Sequence, residues 1–218
     1  MTDRDTASAR LELLLGVGQI ISWGTLIYGI AILGEPLTAA LGIERGTLFA
    51  AFSIGLGASG IAAPAVGRWI DRAGGRPAMS LGSVFAMVAF TMLALATHAW
   101  VVFMAWVIGG VAMSMCLYDA AFATLARALT GNHRRAVTAL TLLGAIASTV
   151  FWPLTQWWLD RYGFRLTFGA YAALHATVGL PIHWWAIPAP VRLPPRAFSD
   201  AHGALTTLGE REIGRAHV

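Results

Sequence analysis

Residues 67–77 read Gly-Arg-Trp-Ile-Asp-Arg-Ala-Gly-Gly-Arg-Pro and form a short polar break between two long apolar runs. The run before the break covers residues 47–66 and the run after it covers 77–97, and neither contains Asp, Glu, Lys or Arg. A helix rises about 1.5 Å per residue, so about twenty apolar residues cross roughly 30 Å of hydrocarbon. The stretch therefore predicts a tight turn between two membrane-spanning helices.

Apolar runs and polar breaks alternate along most of the 218 residues. Hydrophobic residues make up 57% of the chain and charged residues only 12%, which is about half the charge of a soluble domain. These proportions exclude a soluble enzyme, a secreted disulfide scaffold and a disordered tail. The single cysteine, Cys116, leaves the redox compartment open because it has no intramolecular partner.

Six of the apolar runs are long enough to cross a bilayer. They cover residues 13–33, 47–66, 77–97, 100–125, 136–159 and 166–187. Each is expected to be helical, because a backbone in lipid must satisfy its own N–H and C=O groups and the runs are too long and uniform for barrel strands. The predicted fold class is all-α, a polytopic membrane protein whose residues 13–187 form one bundle of six transmembrane helices.

The arginines are distributed unevenly between the two sides of these spans. The N-terminal tail (residues 1–12), the second and fourth loops and the C-terminal tail share one side, which holds Arg4, Arg10, Arg68, Arg72, Arg76, Arg127, Arg134, Arg135, Arg192 and Arg196. The other side holds Arg45, Arg161 and Arg165. The positive-inside rule therefore predicts cytoplasmic termini. Because the charges lie in loops and not on one soluble face, nucleic-acid binding is not predicted.

Several spans carry small residues at the spacing of helix packing. The second span has Gly55, Ala58, Ser59 and Ala62, and the first and fifth have similar sets. Such faces let another backbone approach closely, which is how helices associate in lipid. Tight packing inside one bundle and a moving interface between two bundles would look the same in sequence.

The break at residues 67–77 contains glycines and an acidic residue that a turn between two membrane spans does not require. Gly67 would allow a close approach of another helix, and Gly74 and Gly75 would allow a sharp reversal. Asp71 could receive a helix N-terminus or an arginine. Such a set can latch two bundles at the cytoplasmic face in one conformation and release them in another. The alternative is an ordinary arginine-rich hairpin with turn glycines.

This break resembles the signature between the second and third helices of the major facilitator superfamily: glycine, three residues, Asp-Arg, one residue, then Gly-Arg-Arg or Gly-Arg-Lys. The matching residues are Gly67, Asp71, Arg72, Gly74 and Arg76, whereas Gly75 stands where the family usually has arginine. The resemblance covers the chain except its two tails. It implies that residues 13–187 are the N-terminal six-helix half of a transporter with a second, C-terminal six-helix bundle.

Two shorter stretches are similar to the monocarboxylate-porter and oxalate-formate-like branch of that superfamily. They are Arg134-Arg135-Ala136, which opens the fifth span, and residues 144–153. This similarity implies a small organic anion as the substrate. The glycine-proline signature of drug-proton antiporters is absent, because Gly144 and Pro153 lie nine residues apart without the usual small residues between them.

Asp119 is the only acidic residue inside a predicted span. An unpaired carboxylate is costly in a membrane, so a partner is expected. In the family, an acid near the cytoplasmic end of helix four pairs with an arginine of the signature, and Arg76, Arg72 and Arg127 are candidates. Direct coupling to a proton or a substrate is the alternative. The predicted cytoplasmic latch therefore comprises Gly67, Asp71, Arg72, Gly74, Arg76, Asp119 and Arg127.

Sparse polar and aromatic side chains near the middle of the spans are candidates to line a central cavity. They are Gln19, Trp23, Tyr28, Tyr118, Thr149, Trp152 and His175. His175 could relay protons or simply hydrogen-bond to a neighbouring helix. His175 and His183 are not expected to share a face as a metal pair, and no metal site or cofactor is predicted. Because no nucleophile–base set occurs, the chain is not predicted to be an enzyme.

The end of the chain is interpreted as lying outside the bundle. Residues 188–209 begin with a proline-rich stretch and resemble the start of a cytoplasmic linker to a second bundle. Residues 210–218 can be back-translated to a common sequencing adapter, so the reading frame is interpreted as running off a truncated DNA fragment. The second bundle is accordingly expected to be missing from this sequence.

These patterns predict a secondary active transporter of a small solute, working by alternating access in a bacterial inner (plasma) membrane. Its expected partners are the lipid bilayer, a small-molecule substrate with a coupling proton, and the C-terminal six-helix bundle. Two alternatives remain open from the sequence. One is a six-helix half-transporter that acts as a homodimer, and the other is a membrane scaffold that transports nothing.

Overall fold

A computed structural model of the protein describes residues 3–128 and 133–189 and the side chains within 9–128 and 134–189. The described residues are helices joined by short connections and contain no strand, which confirms the all-α prediction. The α-helices are α1 (Asp3–Trp23), α2 (Gly29–Leu41), α3 (Arg45–Ala73), α4 (Gly75–Ala94), α5 (Ala99–Cys116), α6 (Tyr118–Ala128), α7 (His133–Ala145) and α8 (Ala147–Leu174). Three π-helical turns occur at Gly24–Tyr28, His175–Gly179 and Ile182–Ala186. The predicted linker from residue 190 onward and the predicted adapter segment lie outside the described residues.

Five helical segments of the described chain are long and apolar enough to cross a membrane. They are Ala9–Leu41, Arg45–Ala73, Gly75–Ala94, Ala99–Ala128 and Arg134–Ala186. The last has 53 residues, far more than the roughly twenty that a bilayer requires. The count of six spans is not matched, because the fifth and sixth predicted spans lie in this one segment, which is interrupted at Gly163.

That interruption is at Gly163, where the chain folds back on itself. Gly163 has φ 75° and ψ 169°, which L side chains rarely adopt. The hydroxyl groups of Thr155 and Tyr171, each eight residues from Gly163, are hydrogen-bonded to each other. In a straight helix these residues would be about 24 Å apart. The segment therefore consists of two antiparallel arms, and the reversal falls between the predicted ends of the two spans.

Arg165 fastens the second arm to the end of α4. Its guanidinium group donates hydrogen bonds to the carbonyl oxygens of Ala94, at 2.8 Å, and Ala96, at 3.0 Å. These carbonyls lie at and just beyond the C-terminus of α4, where no further helical turn supplies a donor. One cationic side chain thus satisfies the end of α4 and holds the reversal in place.

Helices α3 and α5 pack backbone against backbone at two glycines. A Cβ atom on Gly110 would lie 1.9 Å from the carbonyl oxygen of Gly55, and one on Gly55 would lie 2.5 Å from that of Trp106. Small residues permit such an approach, and the resulting contact area replaces the hydrophobic drive that lipid does not supply. The indole ring of Trp106 is buried beside this contact and meets the edge of Phe52, with ring centroids 4.8 Å apart.

Buried side chains form two clusters in the bundle. One contains Trp106, Phe90 and Tyr171 and joins the middle of α4 and α5 to α2, α3 and α8. The other contains Ile70 and Met79, both fully buried, and joins the ends of α3 and α4 to α1, α6 and α7. The second cluster therefore anchors both sides of the turn at residues 67–77.

We expect Gly110→Ala to destabilise the protein, because the added methyl group would overlap an immobile carbonyl of α3. Overpacking of this kind lowers the free energy of unfolding by about 1–3 kcal/mol. Gly57→Ala is the matched control, since a Cβ atom there would meet no atom within 4 Å. Thermal unfolding of the purified variants in detergent measures the difference. Equal stability of Gly110→Ala and Gly57→Ala would show that α3 and α5 are not in backbone contact.

Candidate functional site

The polar stretch at residues 67–77 is almost entirely helical. Helix α3 continues to Ala73 and α4 begins at Gly75, so only Gly74 lies between them. Gly74 has φ 80° and ψ 167°, and its N–H group donates to the carbonyl oxygen of Ile70 at 2.8 Å. Glycine is needed here because its φ is positive. The predicted loop is therefore the last two turns of α3 followed by a one-residue reversal.

Gly75 packs directly against α6. A Cβ atom on Gly75 would lie 1.9 Å from Oγ1 of Thr124. The Thr124 hydroxyl donates to the carbonyl oxygen of Ala120 at 2.7 Å and lies 3.4 Å from the sulfur of Met79. The Cβ atom of an arginine, which is usual in the family at this position, would overlap Thr124. The contact with Thr124 gives a physical reason for the departure from the family pattern.

Arg76 contacts the last helical arm. Its guanidinium carbon lies 4.7 Å from the ring centroid of Trp184, which is the geometry of a cation–π interaction. The Nε atom of Arg76 is buried and has no hydrogen-bond partner among the described residues. Arg76 thus joins the start of α4 to the end of the chain's last described helix.

Arg127 joins α6 to the end of α3. Its Nη1 atom donates a hydrogen bond to the backbone carbonyl oxygen of Asp71. The positive charge therefore meets the negative end of the α3 dipole. The side chains of Asp71 and Arg72 are exposed, and neither makes a hydrogen bond or an ion pair with another residue that the structure describes. Gly67 lies on the same helix, and a Cβ atom there would meet nothing within 4 Å.

Asp119 lies away from these arginines, in the first turn of α6. Helix α5 ends at Cys116, and α6 begins after Leu117, whose backbone is extended. The Asp119 carboxylate is exposed and makes no ion pair with Arg72 or Arg76 in the described part of the chain. Arg127 is about two helical turns farther along α6. The predicted latch residues are thus divided. Most lie at the α3–α4 turn, whereas Asp119 lies about two helical turns of α6 away from Arg127.

Beside Asp119, four aromatic rings form a group that we call the aromatic cluster: Trp23, Tyr28, Tyr118 and Phe122. The Trp23 ring lies 4.9 Å from that of Tyr118 and 6.2 Å from that of Tyr28, between centroids. Tyr118 and Phe122 are stacked at 5.2 Å with an angle of 5° between their planes. All four side chains are half-buried. Three of these rings belong to residues that the sequence predicts to line the cavity. Phe122 was not predicted, and its only signal in the sequence is its position four residues after Tyr118.

The other predicted cavity residues lie elsewhere. Gln19 is fully buried, and its Nε2 atom donates to the carbonyl oxygen of Cys116 at 2.7 Å. It therefore ties α1 to the end of α5 inside the bundle. Thr149 and Trp152 are exposed on α8, and Trp152 makes no ring contact with the aromatic cluster within the described residues.

His175 is fully buried between the first helix and α4. The Thr25 hydroxyl donates to the carbonyl oxygen of Ile21 at 2.8 Å, which leaves its oxygen to accept a hydrogen bond from Nε2 of His175 at 2.9 Å. The His175 ring also stacks on Phe90, with centroids 5.7 Å apart. Its Nδ1 atom has no hydrogen-bond partner among residues 9–128 and 134–189.

His183 is also fully buried, and it faces the same two helices as His175. Its Nδ1 atom is 2.7 Å from Oγ of Ser83, and its Nε2 atom would be 3.2 Å from a Cβ atom on Gly18. Eight residues at 100° each would turn the two rings about 80° apart. The π-helical turn that begins at His175 takes up about one extra residue, which reduces this to about 20°. The sequence argument assumed a regular α-helix and so missed the shared face.

The two histidines are hydrogen-bonded parts of a polar interior. Within the described residues, no group of three or more His, Cys, Asp or Glu side chains is placed to hold a metal ion. Each ring instead bonds to one hydroxyl group of a neighbouring helix, Thr25 for His175 and Ser83 for His183. The last helical arm is thereby fixed to the first helix and to α4.

A family model described as the Major Facilitator Superfamily matches residues 13–213 of the chain. The match contains the α3–α4 turn, Asp119, the aromatic cluster and both buried histidines. A comparison with curated proteins gives no match.

We expect His183→Ala to destabilise the bundle, because it leaves a cavity beside Gly18 and removes the partner of Ser83. Truncating a large buried side chain to alanine costs about 2–5 kcal/mol of unfolding free energy. His98→Ala is the matched control, since the His98 side chain is exposed and is hydrogen-bonded to the adjacent Thr97. Chemical denaturation in detergent would show the difference. If His183→Ala unfolded like His98→Ala, the Ser83 contact would not hold the last arm.

Proposed function

Because the chain belongs to the major facilitator superfamily of membrane transporters, we propose that it carries a small solute across the membrane by alternating access. In this proposal the described bundle forms one wall of the substrate path, and a second six-helix bundle forms the other. The chain is a multi-pass membrane protein, and in this proposal it transports a solute and does not catalyse a reaction.

The observation that carries this proposal is an uncovered stripe on α3. Cβ atoms on Gly57, Gly60 and Gly67 would meet no atom within 4 Å in the described structure. At 100° per residue these three glycines and Asp71 fall within an arc of about 80° on the helix surface. Gly55 lies on the opposite side of α3, where it contacts α5. The two faces of α3 are thus made of similar residues, but only one is packed inside the bundle.

An uncovered row of small residues in a membrane helix suits the close approach of another backbone. The row ends at Asp71, whose exposed carboxylate can receive the positive N-terminus of a helix or an arginine. A second bundle that docks along α3 would therefore be latched at Asp71 in one conformation. Breaking the Asp71 contact would let the bundles separate on that side and open the path.

The rest of the turn supports this role by making the end of α3 rigid. Arg127 holds the Asp71 carbonyl, Gly75 packs on Thr124, and Arg76 packs on Trp184. The backbone that presents Asp71 and Arg72 is thereby tied to α6 and to the last arm. A force applied at Asp71 would move the bundle as one body, as a rocking mechanism requires.

We also propose the orientation and location predicted from the arginines. Arg68, Arg72, Arg76 and Arg127 lie at the same end of the described bundle as the α3–α4 turn, and Arg161 and Arg165 lie at the Gly163 reversal. This asymmetry supports a cytoplasmic turn and a cytoplasmic N-terminus in a bacterial inner membrane. The small organic anion and the coupling proton, which the resemblance implied, remain predictions.

The test is gradient-driven uptake into membrane vesicles that contain the full-length gene product, in which the second six-helix bundle accompanies this one, with monocarboxylates, dicarboxylates, amines and neutral solutes as substrates. Accumulation of any of them above the level of empty vesicles supports the proposal. No accumulation with any solute or imposed ion gradient would favour the membrane scaffold. A Gly60→Cys variant places a thiol on the open face of α3, and intermolecular crosslinking there would favour the homodimer.

We expect Asp71→Asn to reduce uptake without reducing the amount of protein in the membrane. The loss should be about tenfold, since a charge at a helix end contributes up to about 2 kcal/mol in a partly buried site. Arg68→Gln is the control, because it also removes a charge near the turn but lies outside the matched residues Gly67, Asp71, Arg72, Gly74 and Arg76. Wild-type uptake by Asp71→Asn at normal abundance would contradict the latch.

A further inference from the structure

Asp119 is the single Asp, Glu, Lys or Arg residue in the six predicted spans. A carboxylate that faces hydrocarbon is expensive, so an exposed one at this depth must face another protein group or a water-filled cavity. No described residue supplies the partner. In the proposed transporter the exposed side of α6 at Asp119 therefore faces the second bundle or the substrate path that lies between the two bundles.

The aromatic cluster lies on this same side. Along α6, Tyr118, Asp119 and Phe122 fall within about 100° of the helix surface. Trp23 approaches Tyr118 from the first helix at 4.9 Å, and Tyr28 lies 6.2 Å from Trp23. Asp119 directly follows Tyr118 in α6, so it shares this side of the helix with rings contributed by two helices.

The position of Tyr118 is fixed from behind by α7. Its hydroxyl group donates to the carbonyl oxygen of Thr141 at 3.1 Å. A Cβ atom on Gly144 would lie 2.2 Å from the same hydroxyl oxygen, so the glycine leaves room for it. The ring is held before any ligand arrives, which lowers the entropy cost of binding.

Negative charge and aromatic faces attract the same kind of ligand. The face of an aromatic ring carries negative potential and binds quaternary ammonium groups, most strongly when the ring is tryptophan. The nearest basic residue along α6, Arg127, is eight positions away and bonds to α3. An anion at the cluster would be repelled by the Asp119 carboxylate.

We infer that Asp119 and the aromatic cluster form one wall of a binding site for a small organic cation of the quaternary ammonium type. This inference rests on the proposed transport function, in which the site lies on the substrate path. It assigns to this bundle a substrate class opposite in charge to the organic anions implied by the branch resemblance.

The test measures equilibrium binding to the full chain in lipid nanodiscs. The probes are choline and 3,3-dimethylbutanol, which has nearly the same shape without the charge, with acetate as the anion. Choline should bind at least about tenfold more tightly than the neutral alcohol, because a desolvated cation–π contact alone contributes about 2 kcal/mol. Acetate should not compete with choline.

The variants distinguish the effect of the Asp119 charge from a general loss of the folded structure. Asp119→Asn should lower choline affinity at least about tenfold, and Trp23→Leu should lower it by a similar factor. Asp119→Glu keeps the charge and should retain most of the affinity. Glu44→Gln is the matched control, since it removes an exposed carboxylate at the start of α3, far from the rings, and should bind choline like the wild type.

Three results would overturn the inference: equal binding of choline and the neutral alcohol, unchanged choline affinity in Asp119→Asn, or no choline binding at all. Proton-driven uptake of another solute that Asp119→Asn abolishes, without choline binding, would also overturn it while leaving the transport proposal intact. Conversely, choline binding that depends on Asp119 in a protein that moves no solute would support the site and refute transport.

Discussion

In hydrocarbon every backbone N–H and C=O group needs a partner inside the protein, and two reversals of this bundle are built around that constraint. Two arginines supply the missing donors. Arg127 donates to the carbonyl of Asp71 at the end of α3, and Arg165 donates to the carbonyls of Ala94 and Ala96 at the end of α4. A guanidinium group has five N–H donors, so one side chain can satisfy more than one carbonyl. The reversals can therefore be very short.

Glycine has three distinct roles in the same bundle. Gly74 and Gly163 adopt positive φ values at reversals. Gly55 and Gly110 bring α3 and α5 into backbone contact, and Gly57 and Gly60 form part of the open stripe. The first two roles complete the bundle. In the third role small residues of the same kind stay uncovered, and this is why we propose that the open face of α3 receives a second bundle.

The sequence predicted the helices well, because length and apolar composition alone determine where a backbone can cross a membrane. It could not predict the shared face of His175 and His183, since the π-helical turns between them are irregularities in a helix whose sequence still looks regular. It could not predict the buried hydrogen bond from Gln19 to the Cys116 carbonyl, because polarity alone does not distinguish such a bond from a ligand contact. The separation of Asp119 from Arg76 was equally hidden, since it depends on Arg76 packing against Trp184 far along the chain.

The one-residue connection at Gly74 also limits which insertions and deletions the protein can tolerate. An extra residue between Gly75 and Ser83 would have to be absorbed by α4, and everything beyond it in that helix would rotate by about 100°. Ser83 would turn away from His183, and Met79 would leave the core that it shares with Thr124. Insertions and deletions should therefore be excluded from this segment during divergence, whereas the three-residue connection between α2 and α3 lies outside both helices and could lengthen without rotating either of them.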